Sequence, residues 1–153
     1  MKPGTYTQIY IQLVFAPKFR EALLQQNIRD RLNPFIGTVL KNKGHKPLII
    51  NGMPDHIHIL FGLNPKQSIS DLVADIKRSS SLFINEQKFL PGKFLWQDGY
   101  GAFSYSGSHL DKVYKYIENQ QIHHNKVKFK EEYLSFLKES EIAFKEEYLF
   151  EFF

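Results

Sequence analysis

A predicted β-hairpin in the first half of the chain is the sequence feature that most constrains the fold. Two short apolar runs, at residues 48–50 and 57–61, flank the sequence Asn-Gly-Met-Pro-Asp at 51–55. Because Asn, Gly, Pro and Asp favour chain reversal, the two runs should pair as neighbouring antiparallel strands. Apolar and polar residues also alternate over 7–15, which predicts a further strand that ends at Pro17.

Helical periodicity separates the predicted strands. Apolar residues three and four positions apart predict one helix over 28–40, with a kink or break at Pro34. A second helix is predicted to begin at 68–70, where a serine side chain can cap it. A short strand around 103–106 follows, and a third helix is predicted over about 108–124.

The order strand–helix–hairpin–helix–strand–helix favours an α+β fold rather than repeated parallel crossovers. The simplest architecture is a ferredoxin-like or RNA-recognition-like antiparallel sheet with helices on one face and residues 56–58 on a central strand. The 153 residues fit a single domain over 1–153, with a core spanning about 6–148. The charged and aromatic sequence from residue 131 onward predicts a helical tail without an assigned role.

Composition narrows the classes of function. The chain has no cysteine, which excludes disulfides, thiol nucleophiles, iron–sulfur clusters and cysteine-based zinc fingers. No apolar run approaches the ~18 residues that span a bilayer, and no signal peptide pattern is present, which predicts a soluble cytoplasmic protein. The net charge of +4 at pH 7 and the aromatic content of 15% are compatible with a polyanionic partner.

Two histidines, His56 and His58, are the first candidates for chemistry. Side chains at i and i+2 of a strand project from the same face, so the two imidazoles should lie side by side. Such a pair is either a partial shell for a divalent metal or two polar residues on the solvated side of a strand. Leu60 stands where a histidine-triad hydrolase would need a third histidine, which excludes that class.

A tyrosine in the last predicted helix is the second candidate. At about 100° per residue, the stripe expected to pack on the sheet contains Leu110, Val113, Tyr114, Ile117 and Gln121. Tyr116 points roughly 120° away from that stripe, so it is either a reactive phenol or a polar surface residue. Gln120 lies one helical turn beyond Tyr116, at the edge of the same side, and is a candidate third metal ligand.

These residues together suggest phosphodiester chemistry. A metal held by His56, His58 and Gln120 would polarise a phosphodiester oxygen, and Tyr116 would attack phosphorus. The phosphotyrosine formed in this way conserves the phosphodiester energy, so that rejoining to a new strand needs no ATP. This chemistry is typical of a strand-transfer enzyme, whereas a simple nuclease uses activated water.

Four sequence blocks resemble the single-tyrosine HUH (His–apolar–His) transposases of the smallest bacterial insertion sequences and the related repeat-associated tyrosine transposases. The blocks, in the family's order, are NGMPDHIHIL at 51–60, IKRSS at 76–80, WQDGYGAFS at 96–104 and YIENQQIHH at 116–124. The resemblance implies Tyr116 as nucleophile and His56, His58 and Gln120 as ligands of Mg²⁺ or Mn²⁺. Gln12 stands where relatives often carry histidine, and we expect it to lie outside the catalytic set without effect on activity.

The resemblance also implies a single-stranded DNA substrate, usually a hairpin at the element's end, and a homodimer in which the tyrosine helix can complete the partner's site. The residues predicted to contact phosphates or stack on bases are Lys77, Arg78, Lys88, Lys93, Trp96, Tyr100 and Lys112. At least half of the aromatic rings at 94–103 are expected to fill the core instead. Two alternatives remain: a non-catalytic single-stranded nucleic-acid-binding module, and a domesticated or replication-type HUH endonuclease.

Overall fold

One four-stranded antiparallel sheet organises the computed structural model, which describes residues 3–18, 23–124 and 127–150, without the side chains of 123, 124 and 147. The strands are β1 (Tyr10–Phe15), β2 (Lys46–Met53), β3 (His56–Gly62) and β4 (Gly101–Tyr105). Their order is β2–β3–β1–β4, and every neighbouring pair is antiparallel. The predicted ferredoxin-like α+β fold is therefore confirmed, with β3 lying between β2 and β1.

The hairpin has the turn that the sequence predicts. β2 and β3 remain paired up to Met53 and His56, and Pro54 and Asp55 form the turn between them. A side chain at Gly52 would collide with the backbone of His56, so the close approach of the two strands requires glycine there.

Among the described residues, five α-helices surround the sheet: α1 (Gln26–Asn42), α2 (Ile69–Glu86), α3 (Leu110–Glu118), α4 (Gln120–His124) and α5 (Phe129–Glu139). Ser68 caps α2, because its hydroxyl accepts a hydrogen bond from the backbone N–H of Asp71 at 3.1 Å. Within the described ranges, no helix combines the length and the apolar character needed to cross a membrane.

Two predicted helix boundaries differ from the structure. α1 continues through Pro34 without a break. Pro34 and Asp30 are both exposed, so water can satisfy the Asp30 carbonyl that the proline ring leaves without a helical partner. The helix predicted over 108–124 is divided at Asn119, a residue with low helix propensity whose backbone has left the helical region.

One face of the sheet carries apolar side chains and is covered by α1 and α2. Leu13 and Phe15 of β1 lie beside Ile59 and Ile57 of β3, and all four are at most 1% exposed. A Cβ atom added at Gly37 of α1 would lie 3.8 Å from Ile50 on this face, and the Lys77 ammonium of α2 lies 5.4 Å from the Phe15 ring centroid. This half of the architecture agrees with the predicted helices on one face.

The opposite face carries polar side chains, yet it is also covered, which corrects the prediction that helices lie on one face only. The Phe129 ring of α5 stacks on His56 with centroids 4.1 Å apart, and Phe136 lies 5.3 Å from Phe103 of β4. The physical reason is the helical spacing of aromatic residues in the tail, which gives α5 an apolar stripe that must be buried. The tail therefore completes a second helical layer.

Candidate active site

The two histidines lie side by side on the face that α5 covers. His56 and His58 are both 0% exposed, and their ring centroids are 5.0 Å apart. His56 Nδ1 lies 2.7 Å from Asp55 Oδ1, and His58 Nδ1 lies 2.7 Å from Gln12 Oε1. Because these oxygens are acceptors, each imidazole can donate from Nδ1, and the two Nε2 atoms are directed towards the same space.

The Gln12 side chain is part of the hydrogen-bond network around His58. It is 0% exposed, and its amide Nε2 donates to the Tyr105 hydroxyl at 2.8 Å while its oxygen holds His58. The sequence places Gln12 outside the catalytic set, and the structure shows that its side chain nevertheless contacts His58. The reason lies in the register: Gln12 pairs with Leu60 of β3, so its side chain emerges on the same face as His58.

Gln120 joins the histidines from the first position of α4. Its side-chain oxygen lies 3.2 Å from His56 Nε2, and the residue is 0% exposed. Asn51 of β2 fixes the preceding helix against the sheet, because its amide donates to the carbonyl of Ile117 at 2.9 Å. The hairpin that carries the histidines therefore also positions the helix end that delivers Gln120.

Tyr116 of α3 lies next to this group. Its ring centroid is 6.2 Å from that of His58, and its hydroxyl is hydrogen-bonded to the side chains of Glu132 and Gln120. Burial, followed by the nearby Glu132 carboxylate, raises the pKa of the Tyr116 phenol well above its usual range. In this arrangement the phenol is held protonated, and its hydroxyl is directed at Glu132 and Gln120, the two side chains that also contact the imidazole Nε2 atoms.

The predicted faces of the tyrosine helix need correction. Tyr114, expected in the packed stripe, is 37% exposed, and Gln121 is exposed as well. Tyr116, expected on the polar side, is half-buried. The reason is that α5 covers this side: the Phe136 ring lies edge-on to Tyr116 with centroids 5.8 Å apart. The polar side of α3 thus faces the site rather than open solvent.

Glu132 of α5 is a site residue that sequence reasoning missed. Its Oε1 lies 2.6 Å from His58 Nε2 and 3.7 Å from His56 Nε2, and the residue is 3% exposed. One pattern could have indicated it. Glu132 stands at the edge of the apolar stripe formed by Phe129, Tyr133 and Phe136, where a carboxylate is expensive to bury without a partner.

These side chains fit a divalent metal. The ligand atoms offered by His56, His58 and Glu132 all lie within 4.8 Å of one another. Gln120 adds a neutral amide oxygen beside His56 Nε2. Imidazole nitrogen combined with carboxylate and amide oxygen is a donor set suited to a borderline-hard ion such as Mn²⁺, and its oxygens suit Mg²⁺. The Nδ1 contacts described above keep the imidazoles in the tautomer that a metal needs.

Two of the residues predicted to bind DNA have structural contacts instead. Lys77 donates to the backbone carbonyls of Gln97 at 2.8 Å and Gly99 at 2.7 Å, and burial lowers the pKa of its ammonium. Trp96 is only 7% exposed, and its indole N–H donates to Ser80 at 2.9 Å. The prediction that Trp96 offers a face for base stacking is therefore wrong, because the ring fills the core.

The other predicted DNA contacts lie on the surface. Arg78 is paired with Asp75 at 2.8 Å, yet its side chain is 74% exposed, and it lines a groove of about 450 Å³ together with Lys93. Tyr100 is 37% exposed and lines a different cleft. The remaining residues predicted to contact DNA, Lys88 and Lys112, are also exposed.

The family model described as "Transposase IS200 like" matches residues 5–120, a range that contains the whole sheet, Tyr116 and Gln120. The ISDra2 transposase TnpA of Deinococcus radiodurans is 28% identical over 122 residues, which cover 76% of this chain and 87% of that protein. The transposase for insertion sequence element IS200 of Salmonella typhimurium is 30% identical over 114 residues, covering 71% and 74%.

Two solved structures are also similar. The crystal structure of a putative transposase from Deinococcus radiodurans aligns with a TM-score of 0.63 and 26% identity, over 78% of this chain and 96% of that chain. A REP-associated tyrosine transposase bound to a REP hairpin aligns with a TM-score of 0.60, over 83% and 76% of the two chains. Because the sequence identity is 15%, this second alignment shows a shared fold only.

Proposed function

The chain belongs to the IS200-like transposase family, and we propose that it cuts and rejoins single-stranded DNA through a covalent 5′-phosphotyrosine on Tyr116. The observation that carries this proposal is the convergence of the Tyr116 hydroxyl with the imidazoles of His56 and His58. Tyrosine is a known covalent nucleophile, and paired imidazoles are the ligands expected beside a scissile phosphate.

In the proposed reaction, the Tyr116 oxygen bonds to phosphorus while the bond from phosphorus to the 3′ oxygen breaks. The phenol proton passes to solvent water. The departing 3′ oxygen takes up a proton and leaves as a free hydroxyl. Rejoining reverses these steps: a 3′ hydroxyl attacks the phosphotyrosine and the phenol is released, without any nucleotide cofactor.

His56, His58 and Gln120 are the proposed holders of Mg²⁺ or Mn²⁺, and in this structure the Glu132 carboxylate lies beside the same imidazoles. When bound, the ion supplies Lewis-acid stabilisation of the charge on the phosphodiester oxygens. Asp55 and Gln12 support this assignment because they hold the outer nitrogens of the two imidazoles.

We extend the proposal to hairpin-bearing element ends as the substrate. One solved neighbour is named as bound to a REP hairpin, and the net charge of +4 favours a polyanion. Two ends must be cut and exchanged, so we also propose a homodimer. Because Tyr116 and His58 lie together within one chain, each subunit would carry its own site, in contrast to the shared site that sequence resemblance implies.

Incubation of the protein with end-labelled hairpin DNA and Mn²⁺ tests the proposal. We expect a labelled adduct that survives denaturing electrophoresis and is absent when Tyr116→Phe replaces the wild type. A non-catalytic binding module would retain the DNA without forming an adduct.

A further inference from the structure

The side chains proposed to hold the metal and to attack the phosphodiester are buried or half-buried in this structure. His56, His58 and Gln120 are 0% exposed, Glu132 is 3% exposed, and Tyr116 is half-buried. A phosphodiester with a nucleotide on each side is far larger than a water molecule, so it cannot contact the imidazole Nε2 atoms while these residues stay buried. Substrate entry therefore requires part of the structure to move.

α5 supplies the cover through side chains spaced about one helical turn apart. Its Phe129 ring lies parallel to the His56 imidazole, with an interplanar angle of 2°. Its Glu132 carboxylate contacts His58 Nε2 at 2.6 Å. Phe136 lies edge-on to both His58 and Tyr116, with ring centroids 6.0 and 5.8 Å away. One helix thus touches both histidines and the tyrosine.

Glu132 presents the same chemistry to the histidines as the proposed substrate. A carboxylate and a phosphodiester each carry one negative charge shared by two terminal oxygens, and both oxygens accept hydrogen bonds or bind metals. Glu132 Oε1 lies between the two imidazoles, at 2.6 and 3.7 Å from their Nε2 atoms. A phosphate oxygen that contacts the Nε2 atoms of His56 and His58 must displace the Glu132 oxygen.

We propose that α5 is an autoinhibitory cap in which Glu132 occupies the position of the scissile phosphate, and that single-stranded DNA must displace α5 before it is cut. This inference rests on the proposed function and adds a regulation of the same site. The cap lies outside residues 5–120, the range matched by the family model.

The outer side of α5 is packed less closely than the side that faces the histidines. A cleft of about 650 Å³ is lined by Tyr133 and Leu137 of α5 and by residues 98–100, 143–145 and 148–150. Phe150 holds the helix from this side, with its ring 5.0 Å from Tyr133 and 6.0 Å from Phe129. Since an open cleft leaves fewer contacts to break, α5 can be released without unfolding the sheet.

Chemical labelling of the histidines tests the cap without DNA or metal. Leu137→Ala and Phe150→Ala remove anchors of α5 that do not belong to the proposed catalytic set, and exposed Lys138→Ala is the control on the same helix. We expect diethyl pyrocarbonate to modify His56 and His58 roughly tenfold faster in both anchor variants, because truncation of a packed side chain favours local opening. Peptide mass spectrometry measures each site separately.

Two other histidines make the labelling result decisive. His109 is exposed and should react equally in all proteins, whereas His45 is 4% exposed and bonded to Gln67, away from the cap. Faster labelling of His45 would indicate that an anchor variant has unfolded globally. The labelling of His56 and His58 in the other anchor variant then tests the cap. Unchanged labelling of His56 and His58 in a folded variant would overturn the cap.

Adduct formation with single-stranded DNA and Mn²⁺ tests the inhibitory role. The anchor variants should form the Tyr116 adduct several-fold faster than the wild type and Lys138→Ala. Equal or slower adduct formation, despite exposed histidines, would show that α5 covers the site without inhibiting it. Absence of an adduct in every protein contradicts the proposed function instead, and the labelling result still decides whether α5 seals the site.

Discussion

The side-chain oxygen of Gln120 lies 3.2 Å from Nε2 of His56, although 64 positions separate the two residues in the sequence. The contact joins the start of β3 to the start of α4. It depends on Asn51, which ties the end of α3 to the β2 edge of the same hairpin. Because one hairpin positions both partners, the histidines and the tyrosine helix keep their relative geometry, and single substitutions can be interpreted individually.

Tyr116→Phe should abolish the covalent adduct and strand cleavage, since it removes the hydroxyl oxygen that would bond to phosphorus. DNA affinity should stay within about twofold, because the ring keeps its packing against Phe136. Denaturing electrophoresis and fluorescence anisotropy measure the two effects. Tyr114→Phe, on an exposed side chain, is the matched control and should remain active. An adduct in Tyr116→Phe would transfer the nucleophile role to another tyrosine.

His56→Ala and His58→Ala should each weaken Mn²⁺ binding by more than about tenfold, since each removes an imidazole from the proposed ligand set. Gln120→Ala should have a smaller effect, because a neutral amide oxygen is a weaker donor. Isothermal titration calorimetry measures these affinities directly. Exposed His109→Ala should bind Mn²⁺ like the wild type. Unchanged affinity in both site variants would contradict the proposed metal site.

Gln12→Met should lower Mn²⁺ affinity by about tenfold while leaving the side-chain volume nearly unchanged. The amide oxygen holds His58 Nδ1 at 2.7 Å, and loss of such an outer contact lets the imidazole rotate and choose the wrong tautomer. Gln8→Met, an exposed substitution near the same strand, provides the comparison. If both variants bind Mn²⁺ equally well, Gln12 has no positioning role.

Stability should fall as the pH rises from about 10 to 12. Burial raises the pKa of Tyr105 and of Tyr133 to about 12 from an ordinary value of 10, so the folded state holds protons that the unfolded state has released. Their contribution is fully present below pH 10 and is lost as pH approaches 12. Urea unfolding across this range should show a shallower decline for the double variant Tyr105→Phe/Tyr133→Phe. An equally steep decline of stability in the double variant would mean that other ionisable groups cause the loss.

A mixture of His56→Ala and Tyr116→Phe should remain inactive under conditions in which subunits exchange. Tyr116 and His58 belong to one chain in this structure, so each subunit of a mixed dimer would keep one defect in its own site. Single-strand cleavage is the measurement, with a mixture of wild type and Tyr116→Phe as the active control. Recovery of cleavage in the doubly mutant mixture would mean that the tyrosine helix completes the partner's site.

Local patterns in the sequence determined the elements and the pairs of side chains within each element. Alternation and helical periodicity were enough to predict the sheet, because burial of apolar side chains imposes a period of two on strands and 3.6 on helices. The same rules predicted that His56 and His58 share a face of β3. They also predicted Gln120 one turn beyond Tyr116, although the helix ends between them at Asn119.

Only the tertiary structure decided what covers each face. Glu132 reaches His58 across 74 sequence positions and Gln12 reaches it across 46, and no local period encodes either contact. Base stacking by Trp96 is predicted wrongly for the same reason, since the composition of its loop does not reveal the hydrogen bond from its indole to Ser80. Periodicity states which residues of an element point the same way, but burial depends on which distant element packs there. Here the packing of α5 buries the polar face of the sheet together with the site residues on it.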